Sequence, residues 1–184
     1  VSNYNNSLDR SKNRIDKNKL NEIEFESLKD FLPINENDVI RQIYEDDRGI
    51  VWIGTDKELL YYNRKKNSFA KAKFYKDGRR ILMKNFNVIQ QLDDERMFFG
   101  GNQMMLVSIN SEDINKVENN FEVLSNLELI QERFFCSLKL KDKLLVGSEK
   151  GLVSVSFKND RLKVIEIKTA QLGKKNKLVN DNIF

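Results

Sequence analysis

VIRQIYEDDRGIVWIGTDKELLYYN, residues Val39–Asn63, decides how the rest of the chain reads. Two apolar runs, Val39–Tyr44 and Ile50–Ile53, flank a charged turn, Glu45-Asp46-Asp47-Arg48-Gly49. Asp favours Asx turns and Gly supplies the positive φ of a tight connection, so the two runs are expected to pair as antiparallel strands. Gly54-Thr55-Asp56 and a third apolar run, Leu59–Tyr62, follow, and a fourth candidate strand, Phe69–Tyr75, comes after the polar Asn63–Ser68. This is the pattern of a four-stranded antiparallel meander.

The meander recurs. Aligned on Gly54, the segments Ile43–Gly54, Ile89–Gly100 and Cys136–Gly147 fall into register without gaps. Their glycines lie 46 and 47 residues apart, a period typical of solenoids, propellers and arrays. Leu59–Tyr62, Met104–Ile109 and Leu152–Phe157 supply third strands, and Phe69–Tyr75, Phe121–Leu124 and Leu162–Ile167 fourth strands. Four strands per repeat predict an all-β chain of β-propeller blades. The expected division is a blade end with a long polar loop at 1–36, blades at 37–83, 84–129 and 130–177, and a further first strand at 178–184. Roughly 4–8 blades close a ring, so three blades with pieces at both ends predict a segment of a larger propeller, or a ring completed by a second copy.

Asn37-Asp38-Val39-Ile40, Ile43-Tyr44-Glu45-Asp46, Gly49, Val51-Trp52-Ile53-Gly54-Thr55 and Leu59-Leu60-Tyr61-Tyr62-Asn63 resemble the two-component regulator propeller repeat. That pattern runs N-x-V/I, then I-x-x-D-x-x-G-x-hydrophobic-W-I-G-T, then G-L-x-x-Y-D/N. Glu58 replaces the usual Gly before Leu59; the second repeat has Phe99-Gly100-Gly101, and the third keeps Val146-Gly147-Ser148 and Gly151-Leu152. Asn180-Asp181-Asn182-Ile183 matches Asn37–Ile40 and would begin another repeat. The resemblance implies an extracytoplasmic, periplasmic or extracellular sensor module joined through a membrane helix to a histidine kinase. Many such sensors are hybrid proteins that respond to glycan fragments.

Catalysis finds little support in the residues. The chain has no His, which removes Ser-His-Asp and Cys-His chemistry and most zinc sites. Gly100-Gly101 lies between strands, not ahead of a helix, so it is no phosphate loop. Asp46-Asp47 and Asp93-Asp94 have the composition of a carboxylate dyad or Ca²⁺ site, but they recur in equivalent turns where the turn itself calls for Asp. Neither a metal nor a cofactor is expected. The lone Cys136 reads as a structural thiol, and Trp52 as packing between blades, with Gly54, Gly100 and Gly147 as repeat markers.

The formal charge is +4, yet basic and acidic residues are interleaved, and no nucleic-acid face is expected. Arg64-Lys65-Lys66-Asn67 and Lys174-Lys175-Asn176-Lys177 read as solvated loops. No run reaches the ~20 apolar residues of a spanning helix. What remains is recognition by loops. The second-to-third-strand loops of successive blades would gather on one face, which makes Asp56, Lys57, Asn102, Gln103, Glu149 and Lys150 the expected ligand contacts. Three readings follow, in this order: a non-catalytic sensor propeller taking a small polar or oligosaccharide ligand, a protein-interaction propeller, and a propeller enzyme.

Overall fold

The structure is a computed structural model, which describes residues 32–63, 67–109, 120–128 and 133–169. Residues 1–31 of the expected first segment, most of the Arg64–Asn67 cluster, the 174–177 cluster and the strand expected at 178–184 lie outside the described residues. Within them the chain is all-β apart from one 3-10 turn, Lys158–Asp160. The first blade is β1 (Ile40–Glu45), β2 (Val51–Thr55), β3 (Leu59–Asn63) and β4 (Ser68–Lys71), paired in that order. A hairpin, β5 (Lys73–Lys76) and β6 (Arg79–Ile81), comes next in the chain. The second blade is β7 (Val88–Gln91), β8 (Arg96–Gly100), β9 (Met104–Ser108) and β10 (Asn120–Leu127). The third is β11 (Phe134–Lys139), β12 (Lys143–Ser148), β13 (Gly151–Ser156) and β14 (Lys163–Lys168). These are the four-stranded antiparallel blades of a propeller.

Two expectations need correction. Phe69–Tyr75 is not one strand. The chain changes sheet at Ala72, and β5 pairs in parallel with β10, so the β5–β6 hairpin forms the outer edge of the second sheet. The reason is Phe74, which leaves the first blade to bury itself against Phe86, Phe99 and Phe121, with centroids 6.0, 5.7 and 6.2 Å away. Asp77 and Gly78 both have positive φ, 49° and 75°, which closes the hairpin with the twist that antiparallel strands favour. The gap-free alignment also fails in the third blade. Cys136 faces Gly147 as Gln42 faces Gly54 and Val88 faces Gly100, because the third hairpin turn is one residue shorter. Its closing bond runs from Leu140 N–H to Lys143 O, whereas the first two run from Asp46 to Ile50 and from Leu92 to Arg96.

The core lies between blades, not within them. Strand alternation gives the second blade two apolar faces. Ile89, Met97, Phe99, Met105 and Val107 meet Trp52 and Tyr61 of the first blade. Val88, Phe98, Met104 and Leu106 meet Phe134, Leu144, Val146 and Val153 of the third. On the far side of the first blade Leu32 and Ile34 cover Ile53 and Leu60.

Each blade is joined to the next by the same devices. A Cβ on Gly54 would stand 2.2 Å from the Phe86 carbonyl oxygen, and one on Gly100 would stand 3.0 Å from Val88 Cβ and 3.5 Å from Phe134 Cβ. At Gly54 the following blade thus comes closest, whereas at Gly100 the tightest contact is with Val88 of the same blade and the following blade stands at ordinary contact distance. Arg48, paired with Asp46 at 2.6 Å, donates across the boundary to the Ile109 carbonyl at 2.9 Å. Arg96, paired with Asp93 at 2.6 Å, donates in the same way to the Phe157 carbonyl at 3.3 Å.

The Asp46 turn is also a small buried network. One carboxylate oxygen accepts the Arg48 and Ile50 N–H groups, both at 3.0 Å; the other accepts Arg48 Nε at 3.1 Å and Trp52 Nε1 at 3.0 Å. Burial opposes its ionisation, but the donors from Arg48, Trp52 and Ile50 outweigh that and hold the carboxyl below the usual range. This accounts for the Asp pair structurally. The two pairs are one residue out of step, however, with buried Leu92 at the Asp46 position and Asp93 engaging Arg96.

Candidate functional site

The innermost strands β1, β7 and β11 lie side by side. Gln42 on β1 accepts the Ile89 N–H at 2.6 Å and donates to the Ile89 carbonyl at 3.4 Å, while Asn87 Nδ2, just ahead of β7, donates to the Phe134 carbonyl at 2.9 Å. At the start of these strands three residues recur in each blade: Val39-Ile40-Arg41, Asn85-Phe86-Asn87 and Arg133-Phe134-Phe135. Phe86 and Phe134, the middle residues of the second and third sets, are buried, and Ile40 packs against Leu32, Ile53 and Leu60. The flanking residues point the other way, and five of the six, all but Val39, line one depression of about 140 Å³, the mouth, beside the starts of β1, β7 and β11.

Two of these residues are aimed by the backbone. Register shifts between Ile40 and Gln42, and between Phe134 and Cys136, make Arg41 and Phe135 the bulged residues of their strands. A bulge turns one side chain out of the ladder, and such bulges favour functional sites. Asn85 adopts a left-handed conformation, φ 57°, and its carbonyl accepts the Asn87 N–H at 2.7 Å. Arg41 is exposed and forms no ion pair among the described residues; Arg133 has only a long one, 3.6 Å to Glu149, with 68% of its side chain exposed.

None of the six expected loop residues lines this depression, and most have scaffold contacts. The Asp56 N–H donates to the Val39 carbonyl at 3.0 Å, and its carboxylate accepts the Val39 N–H at 2.8 Å. Asn102 brackets Lys84 in the same two-point way, at 3.1 and 2.8 Å. The Glu149 N–H repeats the first half of the bracket on the Arg133 carbonyl at 3.0 Å. Gln103 is buried and donates to the Leu82 carbonyl at 2.9 Å. Lys57 pairs with Asp38, whose carboxyl its ammonium holds below the ordinary range. Lys150 is exposed, with its N–H on Ser148 Oγ at 3.3 Å. The loops thus fix the approaches to the inner strands, and the residues on those approaches face the mouth.

Among the described residues no group of three or more metal-ligating side chains comes together, and no helix is long and apolar enough to cross a membrane. Cys136 is half-buried on β11. Trp52 is buried between the first two blades and faces no solvent.

Comparison with known proteins agrees with this architecture. Residues 33–57 match the family described as two component regulator propeller. No curated protein matches the chain by sequence. Among solved structures it resembles one from B. thetaiotaomicron, described as the extracellular domain of a hybrid two component system. The TM-score is 0.52 at 16% identity, and the match covers 83% of this chain and 18% of that one. The chain therefore spans less than a fifth of the length of that solved relative, with the same fold.

Proposed function

We propose that the chain is a non-catalytic ligand-sensing segment of a two-component sensor, lying on the periplasmic or extracellular side of a bacterial cytoplasmic membrane. Its mouth, formed by the approaches to β1, β7 and β11, takes a polar, glycan-like ligand. Binding biases the position of rigid blades, and a histidine kinase elsewhere in the protein reads that bias. The regulator-propeller repeat at 33–57 supports the sensor reading. The observation that carries the choice of site is repetition without chemical uniformity. Two positions recur in three blades, and all but Val39 line one depression, yet they hold Val, Asn and Arg, and Arg, Asn and Phe. Scaffold positions keep their chemistry from blade to blade, as Ile40, Phe86 and Phe134 do.

Of the expected loop residues, Glu149 stands beside Arg133 at 3.6 Å, placed to meet a longer ligand, while Asp56, Asn102 and Gln103 act by holding the strand approaches. A calorimetric screen of oligosaccharides, run on the chain and on its Asn85→Ala and Phe135→Ala variants, tests the proposal. A saccharide that binds the chain and is lost in both variants is the expected result. Saccharide binding that neither substitution weakens would place recognition elsewhere.

A further inference from the structure

The charge of the mouth narrows the ligand class further, given the mouth as the binding site. The interior turns of this protein give their arginines carboxylate partners: Arg48 has Asp46, and Arg96 has both Asp93 and Asp160. The mouth pairs its arginines less closely: Arg41 has no ion pair among the described residues, and Arg133 only a long one to Glu149. Two arginines open into one small depression, Arg41 from a β-bulge on β1 and Arg133 from the approach to β11, and no acidic residue stands at any of the six mouth positions. Glu149 stands 3.6 Å from Arg133, and the Asp56 carboxylate is taken up by the Val39 N–H at 2.8 Å.

We infer that this depression is a recognition site for a small carboxylate-bearing ligand, such as the acidic sugar unit of an oligosaccharide, with Arg41 and Arg133 as its specificity determinants. The guanidinium fork matches the two oxygens of a planar carboxylate, and two like charges sharing a depression are relieved by an anion between them. The remaining lining completes the fit. Asn85 has a half-buried carboxamide without a hydrogen bond among the described residues, suited to a hydroxyl. Asn87 is held by the Phe134 carbonyl at 2.9 Å, and half-buried Phe135 offers the one aromatic ring of the depression to the C–H face of a sugar. At about 140 Å³ the depression is well below the roughly 300–1,000 Å³ of drug-sized pockets, so it suits one ring or a terminal acid.

The test uses D-galacturonate and D-galactose, which differ only in a carboxylate against a hydroxymethyl group, titrated by NMR or thermal shift at constant ionic strength with acetate as a control. Arg41 and Arg133 are exposed, so Arg41→Gln and Arg133→Gln leave the fold intact. Galacturonate is expected to bind at least roughly tenfold tighter than galactose, and each substitution to cost roughly tenfold, as for loss of a charged hydrogen-bond pair. Arg41→Lys should recover only part of that loss, because Lys cannot form the fork. Three results would overturn the inference: equal binding of the two sugars, an acid preference that survives the double substitution, or an acetate effect equal to that of galacturonate. Binding of either sugar that is sensitive to Asn85→Ala but not to the arginine substitutions would leave the mouth as the ligand site and remove only its preference for acids. Lack of response to either sugar would count against both.

Discussion

The boundary between the first and second blades and that between the second and third are made from the same strand positions with different chemistry. At the first, Trp52 and Tyr61 meet Phe99 and Phe121 in an aromatic cluster, with centroids 5.4 to 5.9 Å apart. At the second, the equivalent positions are Phe98 and Leu106, and they meet Val146, Val153 and Phe134. The indole carries an N–H that must be satisfied when buried, and Asp46 accepts it at 3.0 Å. Phe98 has no donor, and the Asp46 position of its blade is Leu92, also buried. Donor and acceptor are absent together, which leaves neither one orphaned. The comparison teaches that a degenerate repeat can keep its architecture by giving up a polar pair as a unit.

The largest expected effect sets the two repeat glycines against each other. Gly54→Ala puts a Cβ 2.2 Å from a backbone oxygen of the second blade, which must then move as a body; Gly100→Ala meets Val88 of its own blade at 3.0 and 3.3 Å and the third blade, at Phe134 Cβ, only at 3.5 Å. Chemical denaturation should show a loss of about 3 kcal/mol or more for the former and about 1 kcal/mol for the latter. Equal losses would break the claim that the first boundary is the tighter.

A double-mutant cycle on Asp46→Leu and Trp52→Phe comes next in size. Asp46→Leu orphans the buried indole N–H and should cost about 2–3 kcal/mol, whereas Trp52→Phe leaves the carboxylate its Arg48 and Ile50 donors and should cost less from the lost bond; the double variant, which copies the second blade at these two positions, should cost less than the sum by about 1 kcal/mol. Strict additivity would mean that the pair is not a unit.

Acid separates the boundaries as well. The carboxyls of Asp46 and Asp93 both sit below their usual range despite the opposing effect of burial, through hydrogen bonds chiefly from Arg48 and Arg96. A depressed folded-state pKa stabilises the fold above the unfolded value of about 3.9, and that stability is lost as pH falls through the folded value. Stability measured against pH should thus decline below about pH 4, and Asp46→Asn should flatten the decline more than Asp93→Asn, because Asp46 is fully buried and Asp93 is not. The smallest effect concerns the clasps: Arg48→Lys should cost about 1 kcal/mol and Arg96→Lys less, since its carbonyl bond is longer, 3.3 against 2.9 Å.

Much of the fold could be read from residue order. The Asp46–Gly49 turn, the apolar alternation and the 46- and 47-residue spacing of the glycines were enough to place the first three strands of the first blade and the third and fourth of the other two, because each is a local consequence of turn chemistry and strand periodicity. Phe69–Tyr75 was misread. Its alternation continues unbroken through Ala72, and only the vacancy that Phe74 fills beside Phe86 and Phe121 breaks the run. Asp77-Gly78, a plain hairpin signal, marked the place. The mouth was missed for a related reason. A gap-free alignment sets Phe134 opposite Arg41 and Asn87, which hides Phe135, and the one-residue shortening of the third turn shows only in the strand register.

Sequence alone determined the four-stranded blade, its period and the repeat glycines, since turn chemistry and strand alternation are local and recur along the chain. Tertiary structure decided which sheet owns the strand after Ala72, and which residues of the three approaches face a common depression. Both depend on contacts between segments about 47 residues apart, where a bulge or a turn shortened by one residue turns a side chain from core to channel without changing the pattern along the chain.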